Sequence, residues 1–294
     1  MSAQKWTVDS IPDQTGRIVM VTGGTSGIGK EAARELARRG AHVVLPSLTR
    51  AEGESAAAEI GGSTEIHELD LSRLDAVREF AAGYTDPIDV LLDNAGLMSR
   101  TRKETPDGLE LHLGVNVLGP FLLTELLLPR IRERVVITAS MAHAKGRIDF
   151  EDPHFRRRPY SMAAAYAQSK LACMLWGLDL QNRLSAAGSA VDVQLAHPGF
   201  AATSILDPTP FPPVNAVLNL LGRRVVPTAS DGARPLLYAA TEALPPASYI
   251  GPSGFRQIAG APGPCERSSP AGDPDLARSL RELAVRETGA VPAV

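Results

Sequence analysis

Short apolar runs recur along the chain, each followed by a turn of small residues and then by a stretch in which apolar positions return every three or four residues. That is the signature of strands alternating with helices. Residues 17–22 form the first such run, which passes through a glycine turn into a helix over about 28–39. Residues 41–45 and 50–60 repeat the unit as strand and helix. Further strands are expected at about 64–69, 88–92, 135–138, 191–195 and 248–258, with helices at about 108–133, 164–187, 230–243 and 274–287. No long internal repeat or second core interrupts the alternation, which predicts a single α/β domain. Residues 1–16 read as a polar lead-in anchored by Trp6 and Ile11, 17–260 as the domain, and 261–294 as a tail with one short helix.

Two departures from the pattern carry meaning. Between 204 and 228, apolar residues are mixed with Pro208, Pro210, Pro212 and Pro213, which reads as a lid over a substrate; the alternative is an amphipathic helix touching a membrane. The helices at 108–133 and 164–187 are more apolar than one sheet face requires, which suggests a pairing surface. The run Arg156, Arg157, Arg158 reads as a solvated face.

Composition narrows the function classes. Thirty basic against 33 acidic side chains leave a formal charge of −3, so no basic excess points to nucleic acid. Cys173 and Cys265 are far apart and lack ligand-like spacing, which argues against a disulfide framework or a metal site. The first residues lack a signal-like apolar region, and no uninterrupted apolar run approaches the ~18 residues of a membrane span. Stable membrane insertion is not expected, and a cytoplasmic location is the default.

The candidate chemistry sits where the strands end. Gly23, Thr25, Ser26, Gly27, Ile28 and Gly29 join the first strand to its helix; glycines there let backbone approach a pyrophosphate, whose charge the helix N-terminus stabilises. The second strand runs out at Pro46, Ser47, Leu48, Thr49 and Arg50, where an adenosine ribose would lie. With no carboxylate at this strand end and Arg50 beside it, a 2′-phosphate and hence NADP is expected in preference to NAD. Asp70 and Leu71 end the third strand, with helix capping and an adenine contact equally open for Asp70. Asn94, Ala95 and Gly96 follow the fourth strand, the small step letting backbone pass a ribose. Asn116, in an apolar helix, must be hydrogen-bonded, as a structural clamp or as a member of a proton relay. Ser140 arrives at the end of the fifth strand. Tyr166 and Lys170 are one helical turn apart on one face, where an ammonium stabilises a phenolate and makes a proton-transfer device. His197 reads as structural, whereas Pro198 and Gly199 would pass the nicotinamide.

Taken together, in this order, these motifs resemble the short-chain dehydrogenase/reductase family over roughly residues 15–260. The stretch from Ala142 to Phe150 and the gap between Ser140 and Tyr166 resemble its retinol dehydrogenase and protochlorophyllide reductase branch. The resemblance implies a Rossmann-fold, seven-stranded parallel doubly wound sheet, and hydride transfer between NAD(P) and a bulky, largely apolar carbonyl or secondary alcohol. It implies Tyr166 as general acid/base, Lys170 as its electrostatic partner and a holder of the nicotinamide ribose, and Ser140 as donor to the substrate oxygen. Asn116 would hold a water beside Lys170, Thr203 would bond the carboxamide or a phosphate, and Asp70 and Asn94 would line the adenosine side. The two apolar helices would build a four-helix interface, giving a homodimer or homotetramer. Three positions depart from the pattern: Leu48 where the branch carries arginine, Asp93 where the family commonly has asparagine, and Pro46 at a strand end. The competing readings are a non-catalytic dinucleotide-sensing or partner-binding module, and a sugar-nucleotide epimerase or dehydratase.

Overall fold

The computed structural model describes residues 6–199 and 228–294. Five parallel strands come first: β1 (Ile18–Val21), β2 (His42–Ser47), β3 (Ser63–Glu68), β4 (Ile88–Asp93) and β5 (Ile131–Thr138). They are followed by β6 (Asp192–Ala196), β7 (Tyr249–Pro252) and β8 (Pro262–Pro264). Together they form one sheet in the order β3-β2-β1-β4-β5-β6-β7-β8. All neighbours are parallel except β7 and β8, which run antiparallel. The eighth strand is an addition to the expected seven. The chain reverses after β7 through Arg256 and Gln257, both with left-handed φ (51° and 57°), and returns along the β7 edge.

The helices are α1 (Gly27–Arg38), α2 (Arg50–Ile60), α3 (Leu74–Gly83), α4 (Leu111–Arg130), α5 (Met162–Ala186), α6 (Ala229–Thr241) and α7 (Pro274–Thr288). Strand side chains alternate between two apolar layers, as the pleat requires. Val19, Val21, Val43 and Leu45 join α1, α2 and α6, whereas Met20, Val44 and Leu91 join α3, α4, α5 and α7. Ile11 is buried with the first layer, and Trp6 packs edge-on against Tyr238 while its Nε1 donates to Glu242 Oε1 at 2.8 Å. The two expected anchors therefore hold the N-terminal segment. α4 is long and apolar enough to cross a membrane, but 83% of its most apolar window is buried inside the domain, as befits a core helix.

The last helix is integral to the second layer. Ala277, Leu280, Leu283 and Ala284 of α7 are buried against α5 and α4. Polar pairs seal the seam: Arg281 meets Asp179 at 3.2 Å, and Arg183 pairs with Asp179 at 2.8 Å and with Glu125. The chain itself thus fills the outer side of α5, which the sequence alone suggests as a surface for a second copy. The arginine run is also partly spent internally. Asp152 accepts the backbone N–H groups of Arg156, Arg157 and Arg158, and Arg158 stacks over Phe155 and donates to Gln168.

Parallel pairing brings the carboxyl ends of β1 to β6 to one edge, and the strand order reverses between β1 and β4. An open α/β sheet leaves a crevice at such a switch point.

Candidate active site

The crevice is built around β1 and its turn. Thr22 Oγ1 accepts the N–H groups of Asn94 and Ala95 at 3.0 and 3.1 Å, and Asn94 Nδ2 returns a bond to the Thr22 carbonyl at 3.1 Å. These bonds clamp the ends of β1 and β4 together. Gly23 has φ +64°, and a Cβ on it would lie 2.9 Å from the Ala95 Cα. A Cβ on Gly29 would overlap the Gly23 carbonyl and the Asn94 amide. The turn is therefore drawn tight, and the N-terminus of α1 opens directly onto the cleft.

That cleft has a volume of about 530 Å³. Of the residues expected to hold a dinucleotide, Gly23, Thr25, Ser26, Gly27, Ile28, Gly29, Ser47, Leu48, Asp70, Leu71, Asn94, Ala95, Gly96 and Pro198 line it, and so do Tyr166 and Lys170. Arg50 and Gly199 do not. Arg50 faces Glu54 at 3.6 Å, and Gly199, at φ +74°, has its α-carbon packed against the Ile258 carbonyl. Thr203 and the expected lid at 204–228 lie outside the described residues, apart from Thr228, which caps α6. Asp70 lines the cleft, which keeps the adenosine side open to it, but it does not cap the next helix: its Oδ1 accepts the Ser72 N–H at 2.9 Å in the turn before α3, whose N-cap position is Arg73.

At the other end of the cleft, α5 carries Tyr166 and Lys170 beneath the end of β5. Lys170 is 4% exposed, and its Nζ donates to the Thr138 carbonyl at 2.9 Å while standing 5.8 Å from the centre of the Tyr166 ring. The ammonium is thus fixed beside the phenol. Two residues beyond Thr138, Ser140 caps a short 3₁₀ turn, its Oγ accepting the Ala142 N–H at 3.2 Å. Its own hydroxyl proton is left for another acceptor.

Asn116 lies in a π-helical turn (Gly114–Leu118) within α4. Its Oδ1 accepts the Leu97 N–H at 2.8 Å, and its Nδ2 donates to the Leu97 carbonyl and to Ser169 Oγ. Both amide protons are engaged, so the side chain is a clamp that ties the segment after β4 to α4 and α5. A Cβ on Gly96 would fall 3.4 Å from Asn116 Oδ1 and 3.8 Å from Lys170 Nζ, which puts these two groups on one wall. Single-turn π segments inside α-helices often mark functional sites.

A family model of short chain dehydrogenases matches residues 17–210. The chain belongs to the short-chain dehydrogenase family. Mouse polyprenol dehydrogenase is 40% identical over 296 residues, an alignment covering 95% of this chain and 86% of that one. Human retinol dehydrogenase 12 is 41% identical, with 79% and 76% covered. A crystal structure of an uncharacterised protein from Mycobacterium paratuberculosis superposes with a TM-score of 0.87 at 41% identity, covering 99% of this chain and all of the other. The sequence-based assignment to this family, and to a branch similar to retinol dehydrogenases, agrees with these relatives. The family uses NAD(P), and the glycine cradle of this dehydrogenase fits the pyrophosphate of such a dinucleotide.

Sequence reasoning missed several parts of the site. Leu97, Leu111 and Val115 line the cleft at the tyrosine end, and Glu52 lines it at the other. Leu111 and Val115 are one turn apart on the helix of Asn116, a spacing legible in advance. His112 is fully buried, with its ring edge-on to Tyr166 at 6.2 Å between centres. Its Nδ1 meets Glu110 Oε1 at 2.7 Å, and its Nε2 accepts the Ser99 N–H, which fixes the proton on Nδ1. By contrast His197 is a core residue packed against Gly251, with burial holding its imidazole down to about 4. Its structural reading stands.

Proposed function

We propose that this dehydrogenase interconverts a bulky, largely apolar carbonyl compound and its alcohol with a nicotinamide dinucleotide, Tyr166 being the general acid/base. The observation that carries the reading is the fixed pair of Tyr166 and Lys170 at one end of a cleft that starts at a glycine cradle. When bound, the dinucleotide supplies or accepts the hydride. Gly23 to Gly29, Asn94 and Lys170 would hold it. In carbonyl reduction the Tyr166 hydroxyl donates its proton to the substrate oxygen, and the Lys170 ammonium stabilises the phenolate left behind. Ser140 donates to the same oxygen as negative charge develops there. In alcohol oxidation the proton moves the other way. Leu97, Leu111 and Val115 offer an apolar wall beside the tyrosine, and the relatives named above are named for the apolar alcohols polyprenol and retinol.

The test is Tyr166→Phe, assayed with a panel of long-chain aldehydes, ketones and their alcohols. Turnover is expected to fall by about 10²–10⁴, with dinucleotide affinity kept within a few-fold. A variant that turns over as fast as the parent refutes the assignment.

A further inference from the structure

The adenosine end of the cleft carries negative charge. Among the described residues that line the cleft, the charged ones are Glu52, Asp70 and, at the far end, Lys170. Glu52 reaches the wall because of Gly53: a Cβ there would overlap the Ile66 side chain and lie 2.7 Å from Ser47 Oγ. Its absence lets the first turn of α2 settle onto β2 and β3. The Glu52 carboxylate makes no hydrogen bond or ion pair with any described residue. Its own backbone N–H is spent on Thr49 Oγ1 at 3.3 Å.

The groups that would welcome a phosphate are engaged elsewhere. Arg50 points at Glu54, and its backbone N–H, the natural anion donor at the start of α2, is taken by Glu68 Oε1 at 3.0 Å. The chain's own carboxylate already sits where a 2′-phosphate would find helix-dipole support. Ser47 Oγ donates to the Thr49 carbonyl at 2.9 Å, and Leu48, 63% exposed on the cleft rim, has no polar atom to offer.

We propose that Glu52 selects the dinucleotide whose adenosine ribose bears a free 2′-hydroxyl, so that this enzyme binds NAD(H) and rejects NADP(H). The proposal rests on the oxidoreductase reading above and reverses the NADP preference expected from Arg50. A 2′-hydroxyl donates to a free carboxylate in a charge-assisted bond. A 2′-phosphate in the same place meets like charge, with no cation among the described residues that line this end of the cleft to offset it, and such a contact near a protein surface costs about tenfold or more in affinity.

The experiment is equilibrium titration of the purified protein with NADH and NADPH at one ionic strength, for the parent, Glu52→Gln and Arg50→Ala. The parent should bind NADH at least about tenfold more tightly. Glu52→Gln should shrink that ratio by about fivefold or more, weakening NADH and strengthening NADPH, and Arg50→Ala should leave it within about twofold. A parent that favours NADPH, or a Glu52→Gln variant that shifts both affinities by the same factor, overturns the proposal. The two readings fail separately: turnover that runs on NADPH refutes the selectivity and leaves the oxidoreductase standing. Selective NADH binding without turnover of any carbonyl or alcohol does the reverse, and binding of neither dinucleotide refutes both.

Discussion

Asp93 offers the clearest quantitative test of this fold. The last residue of β4, it is 4% exposed; its Oδ2 accepts the Thr124 hydroxyl at 2.7 Å, and its Oδ1 has no partner. Burial raises its carboxyl from 3.8 to about 7, and the single Thr124 bond opposes that only in part. The folded protein therefore binds this proton more tightly than the unfolded chain does. Below the unfolded value both states are protonated and nothing is lost. As pH rises from about 4 to about 7, folding has to hold a proton that the unfolded chain has released, and stability falls at up to about 1.4 kcal/mol per pH unit. Above about 7 the loss levels off near 4 kcal/mol. Asp93→Asn keeps the shape and the Thr124 bond and cannot ionise. Relative to the parent it should gain about 3 kcal/mol between pH 5 and pH 8, since part of the loss is already present at pH 5. Urea denaturation at pH 5, 6, 7 and 8 reads this directly: the variant's midpoint should climb relative to the parent's by about 1 M across the series. Parallel pH profiles for the two proteins would mean that Asp93 is ionised in the fold at ordinary pH, and would refute the reasoning.

Other expectations follow from packing. Gly29→Ala should cost about 1–3 kcal/mol of stability by overpacking and more than about tenfold in affinity for both dinucleotides; a thermal melt and parallel titrations check it, and unchanged affinity would exclude the tight cradle. Because α7 fills the outer side of α5, the protein should sediment as a monomer at micromolar concentration, and a dimer paired through α4 and α5 would contradict that packing.

Local signals made the first half of the fold legible. The strand, glycine turn and helix from Ile18 to Arg38 need only neighbours in sequence, and the period of apolar positions found them within a residue or two. Distant partners hid other elements. β5, expected from 135, begins at Ile131, because Arg132, Glu133 and Arg134 resemble a polar helix end. Arg134 belongs in a strand only because Asp192 receives it bidentately at 2.7 and 2.8 Å and the α6 carbonyl of Ala239 accepts from it, partners 58 and 105 residues away. Likewise the run expected at 248–258 stops at Pro252, since Arg256 and Gln257 turn left-handed to start the return strand β8. No periodicity announces such a reversal.

Within the site, the reacting groups were legible because each carries its own spacing, whereas their supports were not. The ring of His112 reaches Tyr166 across 54 positions of sequence, held by a buried Glu110 that also accepts the Leu113 N–H at 2.9 Å and so caps α4. One carboxylate thereby starts the helix that bears Asn116 and sets the histidine beside the tyrosine. The adenosine end teaches a different lesson. Charge alone singled out Arg50, but on a helix residues 50 and 54 stack on one face, and residue 52 is turned about 200° away from residue 50. The arginine accordingly faces Glu54 one turn on, and the charged residue of this turn that lines the cleft is the acid at 52. The periodicity that locates the helix also decides which of its charges a ligand meets.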